Sequence, residues 1–261
     1  MTRILVTGGT GVLSRQLVDK LSQASHTLRV MSRRSKPATW PPGVEWVQAD
    51  LESGQDLAEV VRGADAILHA ATSPFKRTRA IDVDGTRRML DAARSAGVAH
   101  FIYISIVGID RIPFPYYRRK LEAEAVVTGG GVPWSILRAT QFHDLLDRFL
   151  QSITRFPFAF LPTDFQFQLV DSGEVADRLV EAAAAGPSGR LDDMGGPEVL
   201  RLGDVARLWL AARGLKRRVF RLPLPGGYGH AMRHGYNTCP QNRQGKITWS
   251  EWLRKKYGVN G

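Results

Sequence analysis

Eight residues near the N-terminus, Thr7-Gly8-Gly9-Thr10-Gly11-Val12-Leu13-Ser14, place three glycines between a short apolar run, Ile4-Leu5-Val6, and a helical pattern at Leu13, Leu17, Val18 and Leu21. Residues this small let a backbone come close to phosphate. A helix that starts here adds unpaired N–H groups and the positive end of its dipole. Strand, glycine turn and helix at this spacing form a binding site for a dinucleotide pyrophosphate, lined by Gly8, Thr10, Gly11, Val12 and Leu13. A plain tight turn is the alternative, and it leaves the next features without a reason.

The second apolar run, Thr27 to Met31, ends at Ser32-Arg33-Arg34 with no carboxylate nearby. A carboxylate at that strand end would accept from the ribose hydroxyl of NAD, whereas positive charge suits the 2′-phosphate of NADP. Guanidinium forks hold phosphate bidentately, so Arg33 and Arg34 predict NADP(H) over NAD(H). Two arginines on an exposed loop would look the same. The third run, Val44 to Ala49, stops at Asp50-Leu51. Asp50 could accept from an adenine amino group with Leu51 against the ring, or could simply cap a helix.

The elements that must position these residues follow from periodicity. Asp56 to Arg62 reads as a helix, Ala66 to Ala70 as a strand, Val83 to Ala96 as a helix ended by Gly97, and Phe101 to Ser105 as a strand. A helix from Pro115 carries Tyr117, Leu121 and Ala125, with proline suited to its first turn. Trp134 to Leu137 is a further strand. Strands alternating with helices predict an α/β, Rossmann-type, doubly wound parallel sheet. The core is expected over about residues 1–140. From about residue 141 to 261 we expect a smaller substrate lobe packed on it, with short helices over Gly173 to Ala185, Arg201 to Arg213 and Thr248 to Tyr257.

Composition sets outer limits. Of 261 residues 36 are Lys or Arg and 25 are Asp or Glu, a formal net charge of +11. Such a balance invites nucleic acid or an anionic membrane. The arginines are scattered, however, without a basic stripe or recognition-helix pattern, so a solvated surface plus one anionic ligand accounts for them and no nucleic acid is expected. A single cysteine, Cys239, excludes an internal disulfide framework and any Cys-rich metal site. The first residues are too short an apolar run for a signal peptide, and no stretch has the roughly 18 apolar residues of a membrane span. A cytoplasmic protein without a membrane partner is the expectation, monomer or dimer.

In this setting the chain resembles the short-chain dehydrogenase/reductase superfamily, and more closely its atypical NmrA-like branch. The resemblance runs through Thr-Gly-Gly-Thr-Gly-x-x-Ser at 7–14, Ala-Asp-Leu at 49–51, His-Ala-Ala-Thr at 69–72, Asp-Val-Asp-Gly-Thr at 82–86 and Tyr-Ile-Ser at 103–105. It continues at 116–124 and in Leu-Arg-Ala-Thr-Gln-Phe at 137–142, covering roughly residues 2–185. It implies that Ala70, Ala71 and Thr72 pass under the cofactor and that Ala139, Thr140 and Phe142 flank its nicotinamide end. It also implies a catalytic trio of Ser105, Tyr116 and Lys120. Positions i and i+4 share a helix face, so the ammonium of Lys120 can lower the Tyr116 phenol from its usual pKa of about 10 while holding the ribose. The phenol would then be the general acid toward a carbonyl oxygen, with Ser105 donating to the same atom. Tyr117 competes with Tyr116 for this role. Ser14 departs from the pattern by standing where a third glycine is usual.

Three further features complete the reading. His143, beside Phe142, could orient a substrate or merely line a pocket. His230 and His234 have the helical metal spacing but no acidic or Cys partner nearby, so no metal is expected. Phe156 to Phe167 is expected to be core and pocket wall, and Trp249 and Trp252 to pin the C-terminal helix. The expected function is an NADP-dependent reductase or dehydrogenase for a small, partly apolar carbonyl or conjugated substrate. The alternatives are a non-catalytic NADP(H)-sensing regulator and an epimerase-like enzyme with tightly bound cofactor.

Overall fold

The computed structural model describes residues 2–23, 26–74, 76–155 and 157–258. Two compact units make up the chain. The first comprises Met1–Ser105, Pro115–Leu137 and Val175–Leu191; the second comprises Ile106–Phe114, Arg138–Glu174 and Asp192–Gly261.

The first unit is built on a seven-stranded parallel sheet. Its strands are β1 (Arg3–Thr7), β2 (Thr27–Ser32), β3 (Glu45–Gln48), β4 (Ala66–His69), β5 (His100–Ile106), β6 (Trp134–Ala139) and the short β9 (Gly189–Arg190), in the order β3-β2-β1-β4-β5-β6-β9. Strand order reverses between β1 and β4. In open α/β sheets such a switch point leaves a crevice beyond the strand ends, where ligands bind. The strands are apolar on both faces, as parallel strands covered by helices must be. Leu5, Ile67, Phe101 and Tyr103 point into one core with α2 (Leu57–Val61), α3 (Thr86–Ser95) and α4 (Pro115–Gly129). Opposite residues such as Ile4, Val6 and Leu68 are equally buried. Helix α1 (Val12–Ser22) buries Leu13, Leu17, Val18 and Leu21, and its Lys20 pairs with Asp177 of α6 (Ser172–Ala185) at 2.6 Å.

The helix expected from Val83 begins earlier, as a π-helical turn over Arg79–Gly85 that runs into α3. Gly85 belongs there because a Cβ would sit 2.8 Å from the Leu51 Cβ.

The second unit contains α5 (His143–Ile153), β7 (Phe158–Leu161), β8 (Gln166–Gln168), β10 (Val199–Arg201), α7 (Leu202–Ala212), β11 (Arg218–Arg221), α8 (Gly226–Arg233) and α9 (Trp249–Tyr257). Two small sheets pair β8 with β10 and β7 with β11. Trp209, Trp249 and Trp252 are buried, and Trp249 Nε1 donates to the Val205 carbonyl of α7 at 3.0 Å, so α9 is pinned as expected. Phe165 is buried, but Phe158 and Phe160 are 52% and 56% exposed. The core and wall role expected for Phe156 to Phe167 is corrected at those two positions, because alternation turns them outward; Phe156 lies outside the described residues.

Candidate cofactor and active site

The turn after β1 is shaped by what its glycines avoid. Gly8 has φ of 79°, which disfavours any Cβ, and a Cβ there would lie 2.8 Å from the Ala71 Cα. One at Gly9 would lie 2.4 Å from Val30 Cγ1. The turn can therefore press against the ends of β4 and β2. Gly11 N–H donates to the Gly8 carbonyl at 2.8 Å, and Gly11 then caps α1 with no side-chain hydrogen bond. The first-turn N–H groups, including those of Val12 and Leu13, keep their capacity to bind an anion. Ser14 is buried and donates its hydroxyl to the Thr7 carbonyl at 3.1 Å. The small serine thus preserves the close approach of α1 to β1 and adds a bond to it.

Across the switch point the end of β4 is held by a chain of hydrogen bonds whose directions can be deduced. The Thr86 hydroxyl donates to the Asp82 carbonyl at 2.6 Å, so its oxygen accepts from His69 Nε2 at 3.0 Å. His69 therefore carries its proton on Nε2, and Nδ1 accepts from the Thr7 hydroxyl at 3.0 Å. The same Thr7 oxygen accepts the N–H groups of Ala70 and Ala71, each at 3.2 Å. Burial, with help from the Lys120 charge, lowers the His69 pKa to about 3, so the ring stays neutral. One buried imidazole thereby ties the residue before the glycine turn to Thr86 at the start of α3, while the Thr7 hydroxyl oxygen itself holds the loop beyond β4.

Thr72 follows directly. Its hydroxyl donates to Asp82 Oδ1, so it accepts the Tyr116 hydroxyl at 2.8 Å, while Ser73 N–H donates to Asp82 Oδ2 at 2.9 Å. Of the two candidate tyrosines, Tyr116 is the one whose phenol meets the β4 end; Tyr117 is buried, its ring 6.1 Å away. Burial first, and then the Asp82 carboxylate, push the Tyr116 phenol well above its ordinary value. Lys120 is buried and donates instead to the Tyr103 hydroxyl at 2.6 Å and the Ile104 carbonyl at 2.9 Å, with its pKa lowered to about 8 by desolvation. The expected activation of the phenol by the ammonium is corrected here: the shared helix face does not make Tyr116 and Lys120 partners, because the ammonium donates to Tyr103 and Ile104 of β5 and the phenol is raised, not lowered. Ser105, also on β5, is buried and its hydroxyl has no hydrogen-bond partner among the described residues.

Arg33 and Arg34 lie exposed just past β2. Their backbone is held by Trp46 Nε1, which donates to the Arg34 carbonyl at 3.1 Å, and Gln48 Nε2, which donates to the Arg33 carbonyl at 3.2 Å. Asp50 Oδ1 accepts the Glu52 N–H at 2.9 Å, so this oxygen already closes a turn. The Leu51 side chain is buried in the core, which corrects the expectation that it lies against a base.

Ala139, Thr140, Phe142 and His143 belong to the second unit. Ala139 and Thr140 are buried, the Thr140 hydroxyl has no partner among the described residues, and Phe142 caps α5. His143 is fully buried, 5.5 Å from the Trp249 ring and 5.6 Å from that of Trp252, with its pKa lowered to about 3 by burial. Full burial against two indoles keeps the ring from reaching a substrate, and both of its nitrogens have no hydrogen-bond partner among the described residues, so the substrate-orienting expectation is corrected. His230 and His234 stack at 4.0 Å, and no group of three potential metal ligands occurs among the described residues.

Tyr103, His69 and Asp82 hold the site together, yet residue spacing assigns them no role. Their signal is polarity inside otherwise apolar, buried segments, which becomes readable only once the partners of their side chains, nine or more residues away, are known.

The crevice residues fit a dinucleotide on three counts: glycines whose Cβ positions the neighbouring strands already fill, an N-terminus of α1 without a side-chain cap, and a buried Ser105 hydroxyl with no internal partner. Comparison with known proteins agrees. A family model described as NAD(P)H-binding matches residues 8–185, more than half of the chain. A 3-beta-hydroxysteroid dehydrogenase of Mycolicibacterium neoaurum is 33% identical over 156 residues, covering 49% of this chain and 43% of the relative. A (4-alkanoyl-5-oxo-2,5-dihydrofuran-3-yl)methyl phosphate reductase of Streptomyces griseus is 31% identical over 142 residues, 53% of this chain and 48% of the relative. The alignments thus span about half the length of these curated relatives. Among solved structures, an NADPH-dependent quinone oxidoreductase of Escherichia coli, complexed with NADPH, superposes with a TM-score of 0.78 at 17% identity, over 97% of this chain and 99% of that one. At that identity the likeness concerns the fold.

Proposed function

This chain belongs to the NAD(P)H-binding family, in the atypical, NmrA-like branch of the short-chain dehydrogenase/reductase superfamily, and from that premise we propose that it is an NADP(H)-dependent oxidoreductase acting on a small, partly apolar carbonyl or conjugated compound. The observation that carries the reading is the Tyr116 phenol, which bonds at 2.8 Å to Thr72 at the end of β4, beside the glycine turn. The names of the dehydrogenase and reductase relatives support the reaction class.

The cofactor supplies or accepts a hydride when bound. The backbone of Gly8 to Leu13 would hold its pyrophosphate, Arg33 and Arg34 its 2′-phosphate, and Lys120 its ribose. The chain's own residues handle the proton. Tyr116, kept as a neutral phenol by burial and by Asp82, is in the form that donates to a carbonyl oxygen. Ser105, whose hydroxyl has no internal acceptor among the described residues, is free to donate to that same oxygen. Thr72 can turn its hydroxyl toward the phenolate left behind.

A second reading, a cofactor-sensing regulator without turnover, is favoured by one observation: Lys120 is committed to Tyr103 and so does not activate the phenol. NADPH and NADH titrations followed by a carbonyl panel separate the two. Turnover that Tyr116→Phe abolishes without weakening NADPH binding supports the enzyme. Tight NADPH binding with no turnover of any carbonyl supports the sensor, and turnover unchanged in Tyr116→Phe removes the proposed acid.

A further inference from the structure

The second unit carries a sheet face that is the wrong way round for a protein in water. In the parallel pair of β7 and β11, Phe160 stands opposite Phe220 and Phe158 opposite Arg218. Leu222 N–H extends the ladder by donating to the Leu161 carbonyl at 2.7 Å. Alternation sends the smaller Ala159 inward and the larger rings outward. Phe158, Phe160, Phe220 and Leu222 are all substantially exposed, and the rings meet each other: Phe158 and Phe160 at 6.0 Å, Phe160 and Phe220 at 5.5 Å. An exposed aromatic cluster of this kind marks a contact surface.

Its charge says what it contacts. Lys216, Arg217, Arg218 and Arg221 are packed into six residues at and before β11. Asp164 neutralises Arg221 at 2.8 Å, while the other three have no acidic partner among the described residues. A second copy of this chain is a poor occupant, since a two-fold contact would oppose the same cations to themselves. Protein interfaces are enriched in Phe and Arg too, but their anchors are commonly Tyr and Trp, which add hydrogen bonds to apolar contact. Here every aromatic residue is Phe, with no polar handle. Apolar rings flanked by unpaired cations suit an acyl layer beneath anionic headgroups.

We propose that the outer face of the β7–β11 pair is a docking surface for an anionic lipid bilayer. This departs from the expectation of no membrane partner, which rested on the lack of an apolar span; docking needs none. It is also independent of the proposed redox activity.

Co-sedimentation of the full chain with phosphatidylcholine vesicles, with and without a minority of phosphatidylglycerol, tests the proposal. The expected result is binding to the anionic vesicles alone, reversed by salt, and weakened about tenfold or more by the double variant R217E/R218E, since each basic residue near an anionic surface contributes about 1 kcal/mol. The double variant F160S/F220S should lose a comparable share of binding with its melting temperature maintained, because both residues are exposed. No binding to anionic vesicles at low salt overturns the proposal. So does binding that F160S/F220S leaves unchanged, which would reflect net charge alone. Soluble poly-glutamate bound as tightly, and with the same loss on F160S/F220S, would assign the face to an acidic protein instead.

Discussion

Lys120 donates to the Tyr103 hydroxyl at 2.6 Å and not to Tyr116, its neighbour one turn earlier on α4. The ammonium also lies 4.1 Å from the centroid of the Tyr103 ring, and that ring stacks on His69 at 5.8 Å. His69 in turn accepts from Thr7, the last residue before the glycine turn. The cation of the candidate site is thereby linked through packed groups to the cofactor turn, and it sits in a place where burial works against its charge.

That burial gives the first prediction. The folded pKa of Lys120 lies near 8, below the unfolded value of 10.5, so the group is a liability that is fully present below pH 8 and relieved as pH rises toward 10.5. Lys120→Met removes the charge while keeping the length of the side chain. The variant should unfold at higher urea concentration than wild type at pH 7, with a gain of up to about 3 kcal/mol reduced by the hydrogen bonds lost to Tyr103 and Ile104. The gain should shrink between pH 8 and pH 10 as the wild type recovers. A destabilised variant at pH 7 would mean that Tyr103 and Ile104 more than offset the desolvation of the ammonium.

The glycine turn gives a second. Gly8 and Gly43 have nearly equal positive φ, 79° and 78°, but a Cβ at Gly8 meets Ala71 Cα at 2.8 Å while one at Gly43 meets nothing within 4 Å. Gly43→Ala should therefore lose only the conformational cost, about 1 kcal/mol. Gly8→Ala should lose more, and NADPH binding with it, because the loop beyond β4 must move. Equal losses of stability in urea titrations would show that the contact with Ala71 relaxes freely.

These residues also mark how far the sequence could be read. The Gly8 to Ser14 turn, the alternating strands and helices of the first unit and the α9 tryptophans were legible, because each depends on neighbours within a turn or two of chain. Helix α5 was not, although Leu146 and Leu150 are buried at helical spacing, because its start adjoins the β6 end and its finish runs into an aromatic, Pro-rich stretch. Helix α8 hides in a glycine-rich segment, where Gly229 is required because a Cβ would meet the Leu224 carbonyl at 1.8 Å. Spacing put Tyr116 and Lys120 on one helix face correctly, but could not reveal that Tyr103, on another element, takes the ammonium. For Phe158 and Phe160 alternation was visible, but which face met water depended on pairing with β11.

Cofactor choice is the third prediction. Arg33 and Arg34 are exposed, and their backbone is fixed by Trp46 and Gln48, so their replacement should leave the fold intact. In the double variant Arg33→Ala/Arg34→Ala the Kd for NADPH should rise roughly ten- to a hundredfold, equivalent to about 1.5–3 kcal/mol of charge-assisted hydrogen bonding, with NADH binding little changed. Fluorescence titration of both cofactors reads the difference. A preference for NADPH that survives the double substitution would place the 2′-phosphate on other residues.

The last prediction concerns the second unit alone and has a defined pH window. Asp147 of α5 is completely buried, yet it accepts from Trp209 Nε1, Lys256 Nζ and Gln151 Nε2, each at 2.7 Å, and from the Tyr257 hydroxyl. Burial raises its pKa, but the hydrogen bonds from Lys256, Trp209 and Tyr257 outweigh that effect and hold the carboxyl below its ordinary value. A depressed carboxylate contributes stability that is present above its unfolded pKa of about 4 and is lost as pH falls through the folded value. Asp147→Asn keeps one acceptor oxygen but leaves Lys256 facing an uncharged amide, with an expected cost of about 2–4 kcal/mol near neutral pH. Hydrogen exchange in Trp249–Tyr257 should accelerate, because two of the four donors lie at the end of that helix. The difference from wild type should narrow as pH drops below 4 and close only below the depressed folded value, where native Asp147 is protonated too. An unchanged exchange rate in α9 would show that the buried Trp249 and Trp252 hold the helix without the carboxylate.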